Sequence, residues 1–291
     1  MFRNPDAAIT TPVPVAEGPK ADARPSADGK GTHAPADITL ILPVYNEADI
    51  LPGIVRSVAG FVREFPRYRA VFVDDGSDDG TPALLEKAIA DLGQPRLECC
   101  LLPRNGGKGL AIHAGIDRAT GSYVLFTDGD LAYSFDHLHR LADALTRHDV
   151  VIGSRRLLRE RQVNIRLVRR FTGEVFNRLV RLLLRLPYRD TQAGLKGFTL
   201  AAAREIFRRQ RTFDFTFDVE LIYIARKLGY SVGEIAAHVS ETHSYKVSKV
   251  RMVRDPLKMF LALFRIWWHG TAGHYAAPKR ADSTPKGEKA R

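Results

Sequence analysis

Five short apolar runs, Ile38–Leu42, Ala70–Val73, Leu97–Leu102, Tyr123–Phe126 and Val150–Ile152, recur about every 25 to 30 residues along the chain. That interval is the length of a strand followed by a crossover helix. Their hydrophobicity is continuous rather than alternating, which suits strands covered on both faces. The pattern predicts an α/β domain built on a mostly parallel sheet. In such sheets ligands sit beyond the carboxyl ends of the strands, and here every run ends in functional groups. The endings are PVYNE (Pro43–Glu47), DDGSDDGT (Asp74–Thr81), PRNGGKG (Pro103–Gly109), TDGD (Thr127–Asp130) and GSR (Gly153–Arg155). Solubility alone would not sort acids, bases and glycines onto one edge, so that edge is the expected site.

The chain of 291 residues carries a formal net charge of +11. So strong a basic surplus implies an anionic partner: nucleic acid, a membrane surface or a phosphorylated substrate. Its two cysteines, Cys99 and Cys100, are adjacent within an apolar run. Neighbours on a strand face opposite sides, so they suit neither a disulfide nor a metal, and a reducing cytoplasm is the expected compartment. The first 36 residues hold six prolines and no apolar core of signal-peptide length, which reads as a disordered leader. No apolar run approaches the ~18 residues of a membrane span. The histidines show no ligand spacing; His137 and His139 are expected to diverge on a helix.

Asp128 and Asp130 are two charges separated by one glycine, an arrangement that needs a cation or donors. An Asx-type turn closing the strand is the structural alternative. As hard oxygen donors they suit Mg²⁺ or Mn²⁺ bridging to phosphate oxygens, which would neutralise a departing nucleoside diphosphate. In DDGSDDGT, Asp79 or Thr81 suits the cap of a helix beginning near Pro82, while a carboxylate from Asp74 or Asp75 could accept from a nucleobase or ribose. NGGKG has the composition of a phosphate loop without Walker A spacing; Lys108 in it would meet a diphosphate or the neighbouring carboxylates.

In this order, ILPVYNE, VFVDDGSDDGT, NGGKG and FTDGDL resemble the nucleotide-sugar motifs of the family 2 glycosyltransferases of GT-A fold, the last being a D-x-D. DTQAGLKGF (Asp190–Phe198) and FDVELIYIARKLGY (Phe217–Tyr230) resemble the branch of polyprenyl-phosphate glucosyl- and mannosyltransferases. The resemblance spans roughly residues 37–265. It implies that Pro43, Tyr45 and Glu47 line the base and ribose pocket, with Asp74 and Asp75 beside them and Asp75 contacting the base. Asp128 and Asp130 would hold the metal and diphosphate. Arg155 and the segment from Asp190 to Gln192 would face the reacting centre and the acceptor phosphate, with Lys108 and Lys196 among the substrate-binding residues. One departure is Ala132, which stands where mannose synthases often carry a glutamine ligand; this favours glucose, from UDP-glucose, over mannose.

A phosphate acceptor is also favoured on chemical grounds. Displacement by an alcohol needs a base, whereas a phosphomonoester is already largely ionised at neutral pH. From Arg155 to Arg189 there are eleven arginines and two acids, interleaved with Leu, Val and Phe at near-helical spacing. That segment, and Tyr245–Gly270 ending in Trp267-Trp268, suit basic amphipathic helices on a membrane surface; burial of the tryptophans against the domain is the alternative. The expected organisation is a leader (1–36), a GT-A catalytic domain (37–240), a membrane-surface segment (241–270) and a disordered tail (271–291). The expected partners are a nucleotide-sugar donor, a polyprenyl phosphate and the membrane, with no nucleic acid, on the cytoplasmic side. A sugar-hydroxyl acceptor is the second reading, and it needs a base, for which Asp190 and Asp218 are the candidates.

Overall fold

The computed structural model describes residues 37–157, 167–239 and 256–276. In chain order they form β1 (Ile38–Val44), α1 (Leu51–Glu64), β2 (Tyr68–Asp74), α2 (Thr81–Leu92), β3 (Leu97–Leu101), α3 (Lys108–Asp117), β4 (Tyr123–Phe126) and α4 (Asp136–Ala144). There follow β5 (Val150–Ser154), α5 (Leu167–Leu183), β6 (Lys196–Thr199), α6 (Leu200–Phe207), α7 (Phe217–Lys227), β7 (Val232–Ala236) and α8 (Pro256–Thr271). The leader 1–36, residues 158–166 of the arginine-rich segment, residue 240, residues 241–255 of the membrane-surface segment and 277–291 of the tail lie outside the described residues.

All five predicted runs are strands. They join β6 and β7 in one seven-stranded sheet of order β3-β2-β1-β4-β6-β5-β7. Only β6 is antiparallel to its neighbours β4 and β5; the remaining pairs are parallel. The carboxyl ends of β1 to β5 therefore share one edge. β1 has β2 on one side and β4 on the other, so the connection direction reverses there, and the crevice of such a sheet opens at that point.

Every residue of β1 is buried, which is why its hydrophobicity does not alternate. Successive strand residues feed two cores. Ile41, Val71 and Val73 pack with Ile112 of α3, Phe176 of α5 and Ile222 of α7. Leu40, Leu42 and Phe72 pack with Val55 and Val58 of α1 and Leu141 of α4. Cys100 belongs to the first core and Cys99 packs against the second, so the adjacent thiols do face opposite ways, and both are free. The polar Thr39 is tolerated inside β1 because its hydroxyl donates to the Thr120 carbonyl (2.8 Å) and accepts from the Thr120 amide (3.1 Å).

α1 carries buried residues at Leu51, Ile54, Val55, Val58 and Val62, the spacing of a core-facing stripe. On α4 the two histidines diverge as expected. His137 contacts the Ser134 hydroxyl (2.9 Å) and accepts the His238 amide (3.2 Å), whereas His139 meets the Tyr68 hydroxyl (2.9 Å). Burial holds the His137 imidazole below the ordinary histidine value.

Of α8, Leu263 and Ile266 are buried, and each such side chain contributes about 1.5–3 kcal/mol of docking. The turn after it is anchored by Tyr275, whose hydroxyl donates to Glu220 (2.6 Å). The opposite face is left to solvent, with Phe260, Leu261, Phe264 and Trp268 exposed. Packing against the domain holds for one of the two tryptophans: Trp267 packs on the core and Trp268 is 57% exposed.

Candidate active site

The expected edge is knitted into one surface by hydrogen bonds between its loops. At the end of β1, Asn46 adopts a left-handed conformation (φ 51°). Its amide donates to Ser77 Oγ (2.9 Å) and its side chain to Asp78 Oδ1 (2.7 Å). The Glu47 amide donates to Thr81 Oγ1 (3.0 Å), while the Thr81 amide donates to Asp79 Oδ1 (2.8 Å). Asp79 thus satisfies the start of α2, and Gly80 is the cap residue itself, without a side-chain cap.

Of the pair after β2, Asp74 is a turn former: its carboxylate accepts from the Ser77 amide (2.9 Å) and hydroxyl (2.5 Å). Asp75 reaches into the NGGKG loop, accepting from the Gly106 and Gly107 amides (2.9 Å each) and from Asn105 Nδ2 (3.0 Å). Burial pushes its carboxyl above the usual range despite those amides. Both acids are buried, so the loop-clamping role of Asp75 is one that sequence reasoning did not anticipate. Pro43 is likewise buried in β1, while Tyr45 is exposed and Glu47 half-buried.

The NGGKG loop is pinned from a second side. Gly107 has φ 92°, and a Cβ there would lie 2.6 Å from the Phe213 carbonyl oxygen. The Gly109 amide donates to that same oxygen (3.2 Å). α3 then begins at Lys108 with no side-chain cap. Lys108 Nζ lies 2.5 Å from Asp128 Oδ1 and 5.9 Å from the centre of the Phe217 ring. Burial alone would push this ammonium down, but Asp128, Asp218 and Asp130 hold its pKa above the ordinary lysine value.

Asp128 and Asp130 flank a tight turn in which the Leu131 amide donates to the Asp128 carbonyl (3.1 Å) and the Ala132 amide to Asp130 Oδ1 (3.2 Å). Leu131 has φ 55°, a conformation costly for a branched side chain and concentrated at functional sites. Gly129 is required because a Cβ there would sit 2.1 Å from the Pro43 carbonyl oxygen. From the far side, a Cβ on Gly194 would fall 2.3 Å from Asp128 Oδ2 and 2.4 Å from Oδ1. The DTQAG segment therefore runs directly against the D-x-D, through a glycine the sequence did not single out.

Arg155, just past β5, grips Asp190 through Nε (2.7 Å) and a terminal nitrogen (3.0 Å), and its amide adds a third bond (3.1 Å). Burial would raise the Asp190 carboxyl, but the Arg155 guanidinium holds it below the ordinary carboxylate value. The half-buried Gln192 donates its amide to Asp190 Oδ1 (3.3 Å). Lys196 corrects an expectation. Its side chain is 0% exposed, and its ammonium donates to Asp218 Oδ1 (2.5 Å) and to the Ala193 carbonyl (2.6 Å). A substrate cannot touch it; burial pushes its pKa down, and it ties the turn behind Gly194 to α7.

The donor set at the D-x-D fits a hard divalent cation only in company. Among the described residues no group of three or more His, Cys, Asp or Glu is placed to hold a metal, and the position of a third ligand is the buried Ala132. Two carboxylates completed by water and phosphate oxygens are how Mg²⁺ is commonly bound.

A Rossmann-like sheet with an antiparallel β6, a D-x-D at the switch point and glycine loops at the neighbouring strand ends define a glycosyltransferase of the GT-A class. Residues 39–209 match Glycosyl transferase family 2, and the chain belongs to that family. It is 30% identical over 248 residues to the dolichyl-phosphate beta-glucosyltransferase of Dictyostelium discoideum, covering 79% of this chain and 76% of that one. It is 31% identical over 245 residues to the enzyme of the same name from Drosophila melanogaster, covering 79% and 74%. The fold is shared with the mannosyltransferase PcManGT from Pyrobaculum calidifontis, solved with GDP-Man and Mn²⁺, at TM-score 0.51 and 17% identity over 84% of this chain and 76% of that one.

Proposed function

We propose that this glycosyltransferase moves a sugar, glucose from UDP-glucose, onto a polyprenyl phosphate at the cytoplasmic surface of a membrane, with inversion. The observation that carries this reading is that neither candidate base has a carboxylate to spare. Asp190 is held by Arg155 at 2.7 and 3.0 Å with a lowered pKa, and Asp218 by a fully buried Lys196 at 2.5 Å. An alcohol acceptor would need one of them to take its proton. A phosphomonoester has lost that proton already and needs only positioning and charge neutralisation.

In the reaction an acceptor phosphate oxygen attacks the anomeric carbon from the face opposite the nucleotide. The new carbon–oxygen bond forms as the bond to the diphosphate oxygen breaks, and its electron pair leaves with the diphosphate. Asp128 and Asp130 would hold Mg²⁺ or Mn²⁺, which would supply Lewis-acid stabilisation of that leaving charge. Lys108 offers its ammonium to the same diphosphate. Tyr45 and Glu47 border the nucleoside. Arg155, 36% exposed, keeps part of its guanidinium for the acceptor phosphate while Asp190 fixes its plane.

The names of the relatives support the acceptor class, and the outward face of α8 supports the membrane surface. No helix among the described residues is long and apolar enough to cross a membrane, and α8 instead presents Phe260, Phe264 and Trp268 on one side. The test incubates the protein with a short-chain polyprenyl phosphate, Mn²⁺ or Mg²⁺, and UDP-glucose or GDP-mannose, with mass spectrometry of the lipid. A chelator-sensitive glycosyl phospholipid from UDP-glucose, lost in Asp130→Ala, is expected. Donor hydrolysis without a lipid product would overturn the acceptor assignment, and a product from GDP-mannose alone would overturn the donor.

A further inference from the structure

Lys108 and a divalent cation make competing claims on one carboxylate. The ammonium is 2.5 Å from Asp128 Oδ1, and Mg²⁺ bound to that oxygen would sit at about 2.0–2.1 Å. Both cannot share it without strong like-charge repulsion. Gly194 closes one side of the carboxylate, since even a Cβ there would be within 2.3–2.4 Å of its oxygens. Lys108 occupies a second side at Oδ1, and it halves the formal negative charge of the Asp128–Asp130 pair.

The backbone of Lys108 is fixed on both sides, while its side chain is 32% exposed. Gly107 is tied to Asp75 (2.9 Å) and Gly109 to the Phe213 carbonyl (3.2 Å). Lys108 is the first residue of α3 and lies beside the D-x-D, so a diphosphate held there is within the swing of the same ammonium. Resting on the metal-dependent reading above, we infer that Lys108 couples the two ligands: the donor's diphosphate draws the ammonium off Asp128 and so opens that carboxylate to the cation. Nucleotide and metal then bind cooperatively, and by linkage each tightens the other by the same factor.

The test measures Mn²⁺ binding from the loss of the free-ion electron paramagnetic resonance signal, with and without UDP or GDP, each read against the same Mn²⁺–nucleotide mixture without protein. It compares the wild-type chain with Lys108→Met and Lys108→Arg. Without nucleotide, Lys108→Met should bind Mn²⁺ about tenfold more tightly than wild type, a factor within the range usual for coupled sites. Lys108→Arg, which keeps the charge, should stay near wild type. UDP should tighten Mn²⁺ binding to wild type by a factor about tenfold larger than to Lys108→Met. Equal Mn²⁺ affinity of a folded Lys108→Met and wild type would overturn the inference. So would independent binding of Mn²⁺ and nucleotide to wild type, a result that needs no variant. If wild type takes up no Mn²⁺ even with saturating UDP or GDP, the metal-dependent reading falls, and this inference with it.

Discussion

At the scale of single residues, the D-x-D owes its geometry to two glycines that make no polar contact of their own. Gly129 admits the Pro43 carbonyl, and Gly194 admits the flank of Asp128. Gly194→Ala should push the Asp128 carboxylate aside and lower kcat/KM by about 10²-fold, the usual effect of an ångström-scale misplacement. Thermal unfolding and steady-state rates measured together would separate this from misfolding. Asp190 makes a different prediction. Its folded pKa is held below the unfolded value, so its contribution to stability is present above about pH 4 and is lost as pH falls through the folded value. Asp190→Asn should cost about 2 kcal/mol at pH 7. That is less than the about 3–5 kcal/mol of breaking a fully buried pair, because the Arg155 side chain is 36% exposed. In urea unfolding the difference between the two proteins should begin to shrink below about pH 4 and vanish only once the pH has fallen through the folded value. The acids of this site were legible one by one in the sequence, but their partners were not: nothing local to Lys196 announces that it is sealed against Asp218.

At the scale of elements, a helix far along the chain is fastened by a buried acid. Glu220 on α7 accepts from the amides of Arg211 (3.1 Å) and Thr212 (2.7 Å) and from the Tyr275 hydroxyl (2.6 Å). The first two bonds hold the turn that carries Phe213 under the NGGKG loop, and the third holds the end of α8. Burial raises the Glu220 carboxyl above its ordinary value even with these donors, which makes each donor matter more. Tyr275→Phe removes one hydrogen bond to a charged group and should destabilise by about 1.5–3 kcal/mol. Urea unfolding would measure the loss, and amide exchange should rise first along α8. The five strands of continuous hydrophobicity were readable because both of their faces are covered. β6 was not, because KGFT has only four residues and its Lys196 is acceptable in a strand only with Asp218 and Ala193 to receive it.

At the scale of the whole molecule, an excess of +11 charges is combined with an apolar stripe on α8 and exposed Arg178, Arg181 and Arg185 around the end of α5. Such a surface should bind vesicles containing anionic lipid at low salt and release them as screening shortens the electrostatic range. The pair Phe264→Asp and Trp268→Asp, at exposed positions, should weaken sedimentation with those vesicles at least tenfold while leaving unfolding nearly unchanged; unaltered sedimentation would remove the α8 face from the membrane reading. The sequence by itself determined the strand order along the chain, the shared polar edge, the D-x-D and the family, because each of these is written in local spacing. Only the tertiary structure decided which charges meet across loops: Lys108 with Asp128, Arg155 with Asp190, Lys196 with Asp218. It also decided which tryptophan packs on the core and that Gly194 backs the D-x-D. Those outcomes depend on the crossover of β1 between β2 and β4 and on the antiparallel insertion of β6, which bring together residues 20 to 35 positions apart. No periodicity within a single segment encodes such contacts.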